Sequence, residues 1–153
     1  GCQCGAVRYR LHGMPAQVAL CHCRMCQKAT GSVARAYVTA ARGALTWTRG
    51  QPALYRSSAA AQRGYCAACG TPLTFEPEGG DTLDLGIATL DTPGVLRPTE
   101  QYWVGERMPW FSELAGLPPA GAGDDLPDDE RRRRKSYQHP DHDTDTWPPE
   151  RKR

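Results

Sequence analysis

The sequence predicts an all-β (β-rich) fold, and three observations lead to this prediction. Hydrophobic residues make up 39% of its 153 positions, enough for one domain with a core. The chain carries 16 Gly and 13 Pro, a turn-rich composition that suits short strands better than long helices. Short alternating or β-branched segments also recur between glycines along most of the chain. We therefore expect short antiparallel sheets joined by turns, some of which carry cysteines.

Eight segments have the periodicity of strands. They are residues 6–11, 17–20, 33–39, 45–48, 53–56, 73–75, 83–88 and 101–104. Only residues 24–29 and 108–114 look capable of forming a helical turn or two, and Pro109 suits the first turn of the second. Six aromatic side chains are expected to pack mainly in the core: Tyr37, Trp47, Tyr55, Tyr65, Phe75 and Trp103.

The composition changes at Asp124, which divides the chain into a domain at 1–123 and a charged tail at 124–153. The tail holds 9 of the 17 acidic and 8 of the 19 basic residues and almost no aliphatic side chains, a composition typical of disorder. Its basic run at 131–135 follows acidic residues that neutralise it. His139 and His142 lie in this tail without a nearby cysteine, so we expect both to be exposed.

Charge and hydropathy exclude several classes of partner. Residues 1–123 hold 11 basic and 8 acidic side chains, and a formal charge of +3 is too small to indicate nucleic-acid binding. No apolar run approaches the ~20 residues of a membrane-spanning helix and no leader pattern is visible, so the sequence predicts a soluble protein without a membrane partner.

Closely spaced thiols are poor partners for structural disulfides and suit metal binding in a reducing compartment, so we expect a cytoplasmic protein.

The chain has 7 cysteines in three groups: Cys2 and Cys4; Cys21, Cys23 and Cys26; and Cys66 and Cys69. An extended C-x-C segment points both thiols to one face, and C-x-x-C on a tight turn before Gly directs two sulfurs at one ion. The first and last groups together contain four thiols, as a closed tetrahedral zinc site needs, and the middle group contains three, as a zinc site with an open position needs. Zinc is the expected metal, with an iron–sulfur cluster or a thiol redox centre as alternatives.

Spacing alone leaves the pairing of these groups open. The pairs Cys23–Cys26 and Cys66–Cys69 could share one ion as in a zinc ribbon, which would leave the other cysteines without a partner. Closing Cys21, Cys23 and Cys26 locally on one ion costs less chain entropy than joining distant groups. This argument favours the division into four and three.

Three stretches around the cysteines resemble the family of glutathione-dependent formaldehyde-activating enzymes and centromere protein V. They read GCQCGAVRY at 1–9, CHCRMCQKATGS at 21–32 and RGYCAACGTPL at 63–73, and a weaker match, LDTP, follows at 90–93. The matching part spans roughly residues 1 to 118. The resemblance implies a β-tent fold of short sheets and does not extend to the tail.

The resemblance also implies two Zn²⁺ ions per chain. A structural zinc ion would be held by Cys2, Cys4, Cys66 and Cys69, and a catalytic one by Cys21, Cys23 and Cys26. The implied activity is that of a zinc-dependent carbon–sulfur lyase. Glutathione or another small thiol and a small aldehyde such as formaldehyde would combine into an S-hydroxymethyl thiol adduct, or be released from it. The alternative is a non-catalytic, zinc-stabilised binding module resembling centromere protein V.

A zinc ion held by three thiolates favours a thiol substrate over water. The formal charge of such a site is −1, which makes the ion a poor Lewis acid for hydrolysis. Zinc deaminases that use three cysteines need a Glu in an H-x-E element, whereas His22 is followed by Cys23 and Arg24. On an extended segment His22 would face away from the flanking ligands, so we expect it to pack or to support them rather than to bind the ion.

Polar residues beside the cysteine motifs are candidates for contacts with substrate carboxylates. They are Lys28, Thr30 and Ser32 after the middle group, and Arg8, Arg24 and Arg63 next to the three motifs. Residues of the first kind more often cap a turn, and surface arginines are common, so the sequence gives these six only as candidates.

Overall fold

The computed structural model describes residues 1–120 and 126–147, and it is mostly β-structure. The strands are β1 Arg8–Leu11, β2 Gln17–Cys21, β3 Arg35–Ala41, β4 Leu45–Arg49, β5 Ala53–Ser58, β6 Ala61–Tyr65, β7 Pro72–Pro77, β8 Thr82–Gly86 and β9 Glu100–Tyr102. The α-helices are α1 Arg24–Thr30 and α2 Asp128–Arg133. Short 3₁₀ helices cover Arg42–Ala44, Ile87–Thr89, Pro93–Val95, Val104–Glu106 and Phe111–Gly116. None of these helices has the length and hydropathy needed to cross a bilayer.

The strands form two sheets. β1 and β4 make a two-stranded sheet, and the other strands make a seven-stranded sheet in the order β5-β6-β7-β8-β3-β2-β9. Every pairing is antiparallel except that of β9 with β2. The predicted β-rich fold of short antiparallel sheets is therefore confirmed. The parallel strand β9 has a specific effect, because it brings the chain near residue 102 back to Cys21.

Three elements differ from the sequence prediction, and one of them is α2, since no helix was predicted in the tail. β6 was not predicted, because its residues AQRGY combine a glycine with two long polar side chains and lack apolar alternation. It forms because β5 and β7 pair with it on both sides. The helix predicted at 108–114 is a 3₁₀ helix displaced to Phe111–Gly116.

The core consists of two separate groups of buried side chains. The larger joins Val7 and Tyr9 to Val38, Leu73, Leu83 and Leu85, and it includes Cys2 and Cys66. The smaller comprises Ala19, Tyr37, Cys21, Cys23 and Cys26. The two sets of cysteines thus lie in different parts of the core. Among the aromatic residues expected in the core, Tyr55 and Trp103 are instead exposed, on the edge strand β5 and just after the edge strand β9.

Part of the predicted tail contacts the domain. His139 is buried, contrary to the exposure expected from the sequence, and its ring lies where a Cβ on Gly5 would be only 2.2 Å away. Its amide donates to the carbonyl of Gln3, and the indole Nε1 of Trp147 donates to the carbonyl of Cys4. These contacts are mostly polar, so no hydropathy pattern indicated them. His142 is exposed as expected. Positions 124, 125 and 148–153 of the predicted tail lie outside the described residues, and the division at residue 124 stays a prediction.

Gly64 in β6 leaves no room for a side chain. A Cβ there would lie 2.4 Å from Thr74 Oγ1 and 3.1 Å from Pro52 Cβ. We expect Gly64→Ala to reduce the free energy of unfolding by about 1–3 kcal/mol, because β7 must shift away. Urea denaturation of the metal-replete protein measures this. Gly43→Ala is the control, since a Cβ at Gly43 would meet nothing within 4 Å, and equal losses in both variants would contradict the prediction.

Candidate metal centres

The four-cysteine cluster comprises Cys2, Cys4, Cys66 and Cys69, and two matching turns build it. The amide of Gly5 donates to the carbonyl of Cys2, and the amide of Gly70 donates to the carbonyl of Cys66. Both glycines have positive φ, 79° and 77°, a conformation that side chains disfavour, so each chain curls back beneath its pair of sulfurs. One turn precedes β1 and the other joins β6 to β7, and the sheets bring them together.

The sulfurs of this cluster have the spacing of a tetrahedral metal site. They all lie within 4.8 Å of one another. Cys4 Sγ is 3.7 Å from Cys2 Sγ and 3.9 Å from Cys66 Sγ. Tetrahedral zinc with Zn–S bonds of about 2.3 Å separates its sulfurs by about 3.8 Å. The amide of Val7, 3.2 Å from Cys2 Sγ, and the hydroxyl of Thr71, 3.1 Å from Cys69 Sγ, support the ligands. This donor set fits a zinc ion.

The three-cysteine cluster comprises Cys21, Cys23 and Cys26, and it lies where β2 passes into α1. Its sulfurs also lie within 4.8 Å of one another. Cys23 is the N-cap of α1, and its sulfur accepts a hydrogen bond from the amide of Cys26 at 3.4 Å. The short helix ends at Thr30, and its C-cap residue Gly31 has a φ of 63°. All seven cysteines are free thiols, and the zinc-ribbon pairing of Cys23 and Cys26 with Cys66 and Cys69 is not formed.

Residues from the far end of the domain hold this turn in place. The amide of His22 donates to the carbonyl of Tyr102, and His22 Nε2 lies 2.9 Å from Gln101 Oε1. Gln27 is buried and its amide nitrogen donates to the carbonyls of His22 and Glu106. The His22 ring is fully buried and packs edge-on against Phe111. His22 therefore supports the turn, as expected from its position between two cysteines.

Arg63 places a positive charge against the three-cysteine cluster. Its guanidinium Nη2 lies 3.5 Å from Cys26 Sγ, and the side chain is buried with its Cζ 4.8 Å from the Phe75 ring centroid. Burial raises the pKa of Cys26, but the hydrogen bond from Arg63 and those from the other two thiols outweigh it, so the net shift is downward. Burial raises the pKa of Cys21 to about 12. Ionising all three thiols together thus requires a further positive charge, which a divalent cation provides.

In the four-cysteine cluster, too, the pKa of one thiol is raised and that of another is lowered, although no arginine is the cause. Burial raises the pKa of Cys4 to about 12. Burial also raises the pKa of Cys69, but hydrogen bonds from the Thr71 hydroxyl and from backbone amides outweigh it and lower that pKa to about 6. Four thiolates together are stable only around a cation, which again fits a metal ion.

Arg35 is a second buried guanidinium beside the three-cysteine cluster. It pairs with Cys21 across the β2–β3 ladder, so the two side chains share one face of the sheet. Its Nη2 donates to the carbonyl of Asp84 at 3.0 Å, and its Nη1 lies 3.7 Å from a carboxylate oxygen of Asp84. Arg35 was not among the site residues predicted from the sequence. The sequence did carry a signal for it, because Arg35 is a charged residue at an inward-facing position of the otherwise mostly apolar strand segment 33–39.

A cavity of about 290 Å³ adjoins this cluster and is lined by Arg35 and Arg63 together with Thr30, Tyr55, Tyr65 and Thr74. Of the candidates named from sequence, Arg63 and Thr30 therefore reach the cavity, whereas Lys28 is exposed. Ser32 lines a neighbouring cavity of about 380 Å³ that also contains Arg35 and Thr30.

The other two arginine candidates lie elsewhere. Arg8 is buried and its guanidinium is occupied by Asp91 at 2.8 Å and Asp143 at 3.1 Å, so it stabilises the fold rather than facing a substrate. Arg24 is exposed at the start of α1 and lies 3.2 Å from Gln27 Oε1.

Comparison with known proteins bears on both clusters. A family model described as glutathione-dependent formaldehyde-activating enzyme matches residues 1–106, which include all seven cysteines. The chain belongs to this family. A crystal structure of a Rhodobacter sphaeroides protein, determined as a structural genomics target, is similar with a TM-score of 0.54 and 23% identity. The match covers 65% of this chain and 95% of that chain, and at this identity it supports the fold alone. No curated protein matches the chain significantly.

Proposed function

We propose that this chain is a zinc-dependent carbon–sulfur lyase that joins a small thiol, such as glutathione, to a small aldehyde, such as formaldehyde, or cleaves the resulting adduct. The observation that carries the proposal is the three-cysteine cluster, whose sulfurs lie within 4.8 Å of one another next to a cavity lined by arginines. Membership of the glutathione-dependent formaldehyde-activating enzyme family supports the choice of thiol and aldehyde.

The proposal assigns different roles to the two clusters. Cys2, Cys4, Cys66 and Cys69 would bind a structural zinc ion, and Cys21, Cys23 and Cys26 would bind the zinc ion used in the reaction. The packing supports this division, because Cys2 and Cys66 belong to the main core whereas the three-cysteine cluster forms a separate, smaller one. Four ligands close a tetrahedral site, and three leave a position for a substrate.

In the proposed reaction the thiol sulfur attacks the aldehyde carbon. A C–S bond forms, the carbonyl double bond becomes a single C–O bond, and the thiol proton ends on that oxygen. Zinc, when bound by the three sulfurs, favours the ionised form of a thiol that joins them. A thiol of pKa near 8.5 is already about 3% ionised at pH 7, so complete ionisation accelerates the reaction at most about thirtyfold. Most of any further acceleration must come from holding the two reactants together.

The chain's own residues serve that purpose in three ways. Gln101 in β9 contacts His22, and Gln27 donates to the carbonyls of His22 and Glu106, so together they hold the cysteine-bearing turn and fix the direction of the sulfurs. Arg63 balances negative charge on Cys26 through its 3.5 Å contact. The cysteines themselves are nearly enclosed, with 7–9% of their surface exposed, which restricts the access of water. A cytoplasmic location is part of the proposal, since a reducing compartment keeps these closely spaced thiols free.

Metal substitution tests the proposal directly. We expect elemental analysis to find two zinc ions per chain. In protein loaded with Co²⁺, glutathione should change the visible absorption of one of the two sites, because a new sulfur joins the three-cysteine cluster. A binding module like centromere protein V would also hold metal, but its cobalt spectrum would not respond to thiols. Absence of a response to glutathione and to other small thiols would exclude the lyase.

A further inference from the structure

The cavity beside the three-cysteine cluster has an unusual charge pattern. Arg35 and Arg63 are both 5% exposed, and both line this cavity of about 290 Å³. The other lining residues are uncharged, and they include the hydroxyl-bearing Thr30, Tyr55 and Tyr65. Two arginine side chains therefore line one partly open cavity that has no acidic residue in its wall. Buried cations are costly unless an anion or several acceptors compensate them.

The hydrogen-bond donors of these arginines are mostly uncommitted. A guanidinium has five N–H donors. Arg63 makes one hydrogen bond to the described residues, to Cys26 Sγ, and Arg35 makes one, to the carbonyl of Asp84. No described carboxylate lies within 4.0 Å of Arg63, and Asp84 is the carboxylate partner of Arg35 at 3.7 Å. In the described part of the chain the fully enclosed side-chain nitrogen that lacks a partner is His22 Nδ1. The remaining guanidinium nitrogens are therefore not fully enclosed. The cavity of about 290 Å³ is lined by both side chains, and Arg35 also lines the neighbouring cavity of about 380 Å³.

Both arginines are tied to the candidate ligands. Arg63 Nη2 is 3.5 Å from Cys26 Sγ, and Arg35 pairs with Cys21 across the β2–β3 ladder. Their guanidinium planes are fixed from behind by aromatic rings, with Arg63 Cζ 4.8 Å from the Phe75 centroid and Arg35 Cζ 5.5 Å from the Tyr37 centroid. An anion bound to Arg63 in the cavity would be separated from Cys26 Sγ by the Arg63 guanidinium group. The planar fork of each arginine matches a carboxylate.

We propose that Arg35 and Arg63 form an anion subsite that binds the carboxylate of the thiol substrate. The inference rests on the proposed function and narrows it, because it assigns the three-cysteine site to thiols that carry a carboxylate a short distance from the sulfur. Neutral thiols reach the sulfurs but lack the contact in the cavity. Arg35 and Arg63 are thus specificity-determining residues for the thiol.

A matched pair of thiols tests the subsite in the cobalt-loaded protein. The probes are 3-mercaptopropionate and 3-mercaptopropionamide, which have the same length and differ in the charged group. We expect both to change the cobalt spectrum and the carboxylate to bind roughly 10- to 100-fold more tightly, the gain of hydrogen bonds to a charged group. Equal affinities, or tighter binding of the amide, would overturn the subsite and leave the proposed function standing. No spectral change with either thiol would exclude both.

Variants localise the preference to the cavity. Arg35→Gln removes one guanidinium without touching a cysteine, and it should lower the affinity for the carboxylate thiol toward that of the amide while leaving the amide unchanged. Arg56→Gln is the matched control, because Arg56 is exposed on neighbouring β5 and pairs with Glu78 at 3.0 Å. A preference that survives Arg35→Gln would contradict the role of Arg35. If Arg35→Gln does not fold, the comparison of the two thiols in the unaltered protein still decides the proposal.

Discussion

Cys66→Ala is expected to unfold the domain. Cys66 is 1% exposed and belongs to the main core together with Cys2, Leu73 and Leu85. A structural zinc ion contributes about 10–16 kcal/mol in small zinc-binding peptides, which is comparable to the whole 5–15 kcal/mol of a typical domain. Losing one of the four proposed zinc ligands is therefore expected to remove most of the stability. Near-UV circular dichroism and the cooperativity of thermal unfolding measure the effect.

The comparison with a cysteine of the other cluster makes this prediction specific. Cys23 belongs to the smaller core group, so Cys23→Ala should leave a cooperative unfolding transition. If Cys66→Ala and Cys23→Ala destabilise the protein equally, the division into a structural and a reactive cluster is wrong.

Cys23→Ser is expected to abolish thiol binding while the domain stays folded. Cys23 has two tasks, because its sulfur is a candidate ligand and also caps α1 by accepting the Cys26 amide. Serine is a good N-cap, so this variant keeps the capping hydrogen bond, whereas alanine loses about 1 kcal/mol from the missing cap. A neutral hydroxyl is a poor replacement for a thiolate on zinc. We therefore expect about one zinc ion per chain instead of two and no thiol-dependent change of the cobalt spectrum.

Two measurements separate the tasks of Cys23. Elemental analysis gives the metal content, and urea denaturation compares the serine and alanine variants. Both should lose the response to thiols, and the serine variant should be the more stable. A serine variant that retained two ions and full thiol binding would remove Cys23 from the ligand set.

The grouping of the cysteines was predictable because it depends on local geometry. C-x-C and C-x-x-C segments constrain where their sulfurs point, and the structure assembles the sets of four and three that the counts indicated. The sequence could not exclude the zinc-ribbon pairing, since that choice depends on how the sheets place distant turns. The pairing of β6 with β7 positions Cys66 and Cys69 on the turn between them, opposite the turn of Cys2 and Cys4.

The parts that sequence could not predict depend on tertiary contacts. β6 lacks strand periodicity and is fixed by its neighbours, and Arg63 within it was selected only because it lies close to the Cys66 motif. Arg35 and Gln27 are residues of types that are usually exposed, and only the fold shows that both are buried beside the three-cysteine cluster. The burial of His139 depends on Gly5 and on contacts between segments more than a hundred positions apart in sequence.

The sequence separations within the two clusters imply an order of assembly. Cys21, Cys23 and Cys26 lie within a single turn of chain, so a nascent polypeptide can capture an ion there while little else is ordered. Cys2 and Cys4 must wait until Cys66 and Cys69 have been synthesised and β6 and β7 have paired. With the proposed two zinc ions, metal availability at the moment of folding would govern the yield of native protein, and refolding in the presence of a chelator should stall before the second ion is enclosed.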